Sequence, residues 1–395
     1  MTSASSSATA PARTGPDTSP ARLHHLDALR GGALLLGVVL HTLLGFVPGQ
    51  SWLFVDSRPA GWALPVIFVI HLFRMVLFMM LAGFFGRMVL HRRGAGAYVT
   101  DRLLRIGLPL VAFWPLAVLT LPIVIIVGSS LRGTEIPVDP RAAEQPGLLD
   151  MLTPGQLWFL LLLLEIALVV VLARAILLRV LGTERAGAIS RRIGAVLASP
   201  AGILVAAVPY GLGLLAQGVR TGGIQEPLTI VPVPGASIAY LGAFLVGWFL
   251  HASPGSLAQV ARAWPVKLAL AGVLSILAFL VPGPMETVLV PLASWAWVHA
   301  LVGVTARFLD REIPAIRYLA DASYWIYLLH LPLVVALGMA LGDLPWPALV
   351  KVVVNLVVTT GLLVLVYDAI VRSTWIGRWL NGHRRPRAIL TRSRR

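Results

Sequence analysis

Apolar residues run along this chain in blocks of roughly twenty, separated by short stretches where arginine, glycine and proline concentrate. A helix needs about 20 such residues to cross the hydrocarbon of a bilayer. The pattern predicts ten helical spans at about 28–48, 62–88, 104–128, 153–178, 201–219, 228–250, 267–282, 284–305, 318–341 and 347–371. The seventh and eighth are short and joined by the hairpin VPGPME. The short alternating segments of a β-barrel are missing. The expected fold is therefore an all-α polytopic membrane protein. Residues 1–21 are rich in Ser, Ala, Thr and Pro without an early apolar core, so they read as a disordered tail, not a cleavable signal. Residues 22–372 read as one transmembrane domain without an internal repeat, and 373–395 as a basic tail.

Composition supports this class: 57% of residues are hydrophobic, 12% are charged and the mean hydropathy is +0.84. The absence of cysteine removes disulfides, thiolate catalysis and cysteine-based metal sites, and no metal is expected. Of the 32 Lys and Arg residues, 26 fall on the side of the N-terminus, five on the other side, and Arg74 lies within a span. Acidic residues divide eight and eight, with Glu165 intramembrane. Only the basic residues are biased, which by the positive-inside rule puts both termini in the cytoplasm. The net charge of +15 is then mainly a topology signal. The basic end HRRPRAILTRSRR reads as a contact for anionic membrane lipids, with no nucleic acid expected. The longest external connection, 129–152, carries Glu135, Asp139, Glu144 and Asp150.

Several ionisable groups fall inside the apolar blocks, where each is costly and defaults to a functional reading. Eleven residues separate Arg30 from His41, so a helix carries the histidine ~16 Å inward and only ~20° off the arginine's direction. Asp27 lies within ~40° of the same face, so the three form one stripe. Counted from the external end of the second span, Arg74 falls ~18 Å deep with His71 one turn above, near the level of His41. Glu165, and His330 with Tyr324 and Tyr327 below it, are expected at similar depth. A structural Arg74–Glu165 pair and a packing role for His330 remain open alternatives. His251 and His299 read as structural or interfacial. On the cytoplasmic side Arg102 and Arg105 are i,i+3 neighbours suited to phosphate, whereas Arg92 and Arg93 are explained by anchoring alone.

The stretch LDALRGGALLLGVVLH resembles the Arg-x10-His signature of the acyltransferase-3 family of membrane acyltransferases. HLFRMVLFMMLAGFFGRMVLHRRG, YVTDRLLRIGLPL, QLWFLLLLL and ASYWIYLLHLPLV are similar to its glucan-biosynthesis protein C branch, succinyltransferases of osmoregulated periplasmic glucans. The resemblance runs from about Leu23 to Ile370. One position departs from it: Gln156 stands where the family motif has histidine, before Leu157, Trp158, Phe159 and Leu160. Glutamine cannot serve as a base or cation near neutrality, so a different handling of the acceptor is expected here.

The resemblance implies a multi-pass protein of the bacterial inner membrane. It implies acyl-CoA, with succinyl-CoA as the expected co-substrate, and an extracytoplasmic glucan or other glycan as acceptor. Arg30, Arg102 and Arg105 would hold coenzyme A phosphates, and His41 would move the proton or carry the acyl group. Arg74 would stabilise the oxyanion or hold the succinyl carboxylate, roles that exclude each other unless the side chain moves. Asp27 joins this catalytic set by positioning the arginines or the donor. His71, Gln156, Trp158, Glu165, Tyr324, Tyr327 and His330 are expected to line the cavity or acceptor site. The competing reading is a proton-coupled transporter or flippase of a sugar-linked substrate, with His41, Arg74, Glu165 and His330 as its relay.

Overall fold

A computed structural model describes residues 24–50, 52–136, 152–218 and 222–389. The expected tail 1–21 lies outside the described residues, as do Asp139, Glu144 and Asp150 of the external connection. Among the described residues there are twelve α-helices and no strand. They are α1 His24–Leu44, α2 Ala63–Arg102, α3 Leu108–Arg132, α4 Trp158–Ala198, α5 Gly202–Gln217 and α6 Pro234–Ala252. There follow α7 Ser256–Ala261, α8 Trp264–Leu280, α9 Glu286–Phe308, α10 Pro314–Gly342, α11 Ala348–Val366 and α12 Trp375–Asn381.

Among the described residues, seven helical stretches are long and apolar enough to cross a membrane. One of them, Ala63–Arg132, has 70 residues and holds both the second and third expected spans. Unbroken it would be ~105 Å long, several times a bilayer's hydrocarbon. The chain breaks at Gly94, whose φ of 81° costs a residue without Cβ little, and then passes through a π-helical turn at Leu103–Gly107. The expected fifth and seventh spans appear as α5 and α8, apolar but only 16 and 17 residues long.

Small residues let the central helices approach closely. A Cβ on Gly83 of α2 would run into the Phe244 carbonyl of α6, and one on Gly247 into the Met80 carbonyl. α1 packs against α2 and α10. It stops at Leu44, short of the expected 48, and the following loop folds back over its end. Phe54 of that loop fills the space beside Gly45 and Gly338, where a Cβ on either would collide with its ring. The Asp56 and Ala60 N–H groups donate to the carbonyls of Gly45 and Phe46 at 2.9 and 2.8 Å. The Ser57 hydroxyl donates to the Gly342 carbonyl at 2.7 Å.

Two segments read from sequence as surface are instead packed. Lys351, counted above with the external side, is fully buried, and its ammonium donates to both Asp56 oxygens (2.8 and 3.0 Å) and to the Gly342 carbonyl. Residues 375–389, inside the expected basic tail, lie against the bundle. The Trp379 indole N–H donates to the Leu104 carbonyl at 2.8 Å, and Arg385 pairs with Asp321 at 3.0 Å. The Ala388 and Ile389 N–H groups donate to Asp368 at 2.9 and 3.0 Å. Asp321 and Asp368 are buried carboxylates, and such groups need donors brought to them.

Candidate active site

The site begins where α1 and α10 run side by side. His41 and His330 bring their rings to 5.3 Å between centroids. His330 lies twelve residues from the end of α10, so that helix continues ~18 Å beyond it. His41 is therefore inside the bundle although only three residues remain of α1 after it. Nδ1 of His330 lies 3.1 and 2.9 Å from the Ile326 and Tyr327 carbonyls. Carbonyls only accept, so this nitrogen carries the proton and Nε2 is left as an acceptor. Among the described residues that Nε2 is buried without a hydrogen-bond partner, and so is Nδ1 of His41.

α2 supplies the cation. The Arg74 guanidinium lies against Gly37, one turn before His41 on α1, so close that a Cβ there would sit 2.9 Å from Nη1. Its Nε is also buried and unpartnered. Arg74 lies within electrostatic reach of Tyr240, Tyr327 and Glu226 as well as the two histidines. His71, one turn away on α2, is tethered by Nε2 to the Ile224 carbonyl at 3.3 Å.

From His330 an aromatic ladder descends α10. The Tyr327 ring lies 6.3 Å from His330, and Tyr324 stacks on Tyr327 at 6.5 Å with planes 8° apart. The Tyr327 hydroxyl donates to the Gln156 carbonyl at 3.0 Å, and that of Tyr324 to the Arg105 carbonyl at 2.9 Å. Gln156 donates its side-chain amide to the Leu328 carbonyl at 3.1 Å, and its Oε1 has no partner. Trp158 packs on Tyr240 at 6.2 Å.

At the ladder's foot, one carboxylate serves both arginines. Asp101 pairs with Arg102 and with Arg105, each at 2.9 Å. Arg102 also lies over the Tyr98 ring, and its Nε is unpartnered. Arg105 packs against Gly382 of the C-terminal segment. Gly31, beside Arg30, lies against Ala320 of α10, one turn from Tyr324.

One open alternative is removed. Glu165 forms no ion pair with Arg74; it lines a shallow pocket with Trp158, Pro227, Thr229 and Val233. It projects toward the 227–233 connection and so joins neither the histidines nor a structural pair. Asp27 is ~21 Å along α1 from His41 and pairs with Arg30 at 3.5 Å. His251 and His299 stay apart from the cluster, edge-on to Phe84 and Trp295. The sequence reading missed Trp52, whose ring lies 5.9 Å from His41 with planes 14° apart. It also missed Tyr240, Glu226 and the shared Asp101. Asp101 was findable, as the i−1 and i−4 neighbour of the two arginines.

A helical bundle with partnerless polar atoms gathered between its central helices defines a multi-pass membrane protein with an internal site for a polar ligand. The acyltransferase-3 family model, described as an acyltransferase domain, matches residues 23–368, and the chain belongs to this family of membrane acyltransferases. It is similar to glucans biosynthesis protein C of Salmonella schwarzengrund and of Salmonella typhi, 25% identical to each over 356 residues. The match covers 88% of this chain and 91% of each relative. No solved structure matches it.

Proposed function

We propose that this membrane acyltransferase transfers succinyl from succinyl-CoA, bound at the cytoplasmic face, to a hydroxyl of an extracytoplasmic glucan. The carrying observation is the set of partnerless atoms on His41, His330, Arg74 and Gln156 at one end of the tyrosine ladder, with Arg102 and Arg105 at the other. Arg30, Arg102 and Arg105 hold the coenzyme's phosphates, and the thioester arm follows Tyr324 and Tyr327 upward. Asp101 neutralises part of the arginine charge, so binding displaces or shares that carboxylate.

His41 takes the proton of the attacking sugar hydroxyl as its oxygen bonds to the thioester carbonyl. The tetrahedral intermediate collapses, the C–S bond breaks, and the coenzyme thiolate recovers the proton from His41. The His330 Nε2 lone pair orients the imidazolium that forms between these steps. Arg74, one turn toward the arginines, meets the succinyl carboxylate, an anion that needs a cationic partner when buried. His71, Trp158 and Gln156 border the acceptor side, and basic groups at the chain's end face anionic lipid.

The test presents purified protein with a panel of acyl-CoAs and a glucan oligosaccharide. Thiol release is followed, and the product is identified by its mass. Acceptor-dependent release strongest with succinyl-CoA supports the reading. No release from any donor overturns it.

A further inference from the structure

The loop between α1 and α2 is anchored more firmly than a connection requires, and its anchors converge below Trp52. Phe54 is wedged between α1 and α10, and Asp56 is held in a fully buried ion pair by Lys351 of α11. The Asp56 carboxylate also accepts the Arg58 N–H at 2.8 Å. Arg132 of α3 adds a fourth helix: it donates to the Val55 carbonyl at 3.0 Å and forks onto Asp343 at 2.8 and 2.6 Å. The guanidinium holds the Asp343 carboxyl below its ordinary range. Four helices thus fix a loop that places one aromatic ring parallel to His41. Phe54 meets that ring edge-on at 5.6 Å.

We infer that Trp52 is a positioning residue that shields His41 from water on the side opposite the arginines. This rests on the acyl-transfer reading. A base that activates a sugar hydroxyl activates water equally well. Water would then add its oxygen to the thioester carbonyl and give its proton through His41 to the departing thiolate, releasing free acid and coenzyme thiol. A donor that waits for an acceptor from the other side survives only if that route is closed. The indole lies parallel to the imidazole and, having an N–H but no acceptor nitrogen, does not compete for the proton, and the anchored loop keeps it there.

The first measurement is independent of activity. Diethylpyrocarbonate acylates accessible imidazole, and modification of His41 is followed by mass spectrometry on the intact protein in nanodiscs. Trp52→Ala is expected to raise the rate about tenfold, and Trp52→Phe to leave it near wild type, since an aromatic face remains. The second compares thiol release from succinyl-CoA with and without a glucan oligosaccharide. Trp52→Ala should raise the ratio of hydrolysis to transfer, whereas a merely structural role would lower both together. Asp56→Asn combined with Lys351→Met frees the loop without altering Trp52 and should act in the same direction. Unchanged His41 labelling in both variants overturns the shielding role whatever the protein's reaction. Raised labelling in a protein whose wild type turns over no acyl-CoA keeps the shield and overturns the acyl-transfer reading.

Discussion

The Nδ1–H of His330 is committed to the backbone of its own helix, and its ring lies 5.3 Å from that of His41. One imidazole is thus held as an acceptor beside another whose Nδ1 has no partner among the described residues. A proton gained by His41 has a fixed neighbour to point toward.

On the proposed reading, His41 is the proton carrier. His41→Ala should express and fold but lose acyl transfer by more than about tenfold, and His41→Gln should do no better because shape survives and basicity does not. Steady-state thiol release with acceptor present measures this. Activity above about a tenth of wild type in either variant removes His41 from the chemistry. His330→Ala should fall less far than His41→Ala, since it acts through the other ring.

Arg74 separates donors. Arg74→Gln should lose succinyl transfer while retaining acetyl transfer, because only the succinyl carboxylate is stranded. Donor competition between the two coenzyme esters reads this directly; equal loss of both would assign Arg74 to the oxyanion instead. Glu165→Gln should leave the ratio untouched, as its carboxylate lies in the pocket beside Pro227 and not on Arg74.

The arginines around Asp101 should set donor affinity. Arg102→Ala or Arg105→Ala should raise the KM for acyl-CoA about tenfold with a smaller effect on kcat, since the phosphates are remote from the bond being made. Lysine should rescue only partly, offering a point charge in place of a fork. An unchanged donor KM in the double variant would return both residues to membrane anchoring.

Breaking the Asp56–Lys351 pair should be costly. Both side chains are fully buried. Lys351→Met alone leaves a carboxylate stranded, for which about 3–5 kcal/mol of destabilisation is expected. Adding Asp56→Leu should recover much of that loss, because an apolar pair of similar volume removes the unpaired charge. Thermal unfolding in detergent distinguishes the two, and equal midpoints would place the stability elsewhere.

Much of the frame was legible because lipid imposes it. The apolar blocks, the arginine bias and the internal titratable groups are direct consequences of the bilayer as solvent. The motif order was enough to identify the family. What periodicity could not supply was the loop over His41, which is too short and irregular for a helical pattern and is fixed by partners far away in sequence. Lys351 looked like a loop charge because its partner lies 295 positions away. An Arg74–Glu165 pair stayed open because depth can be counted along a helix, whereas rotation relative to a neighbouring helix cannot. The end of the chain looked like a solvated tail because the buried Asp321 and Asp368 that receive it lie in other segments.

Those last contacts impose an order on assembly. Trp379 bonds to Leu104 across 275 positions, and Gly382 packs on Arg105. During synthesis the arginine pair emerges early and waits uncovered while every later helix is inserted. The face that carries it takes its final form only after residues 375–389 have left the ribosome. The nascent protein therefore inserts His41 long before the surface around Arg102 and Arg105 is finished.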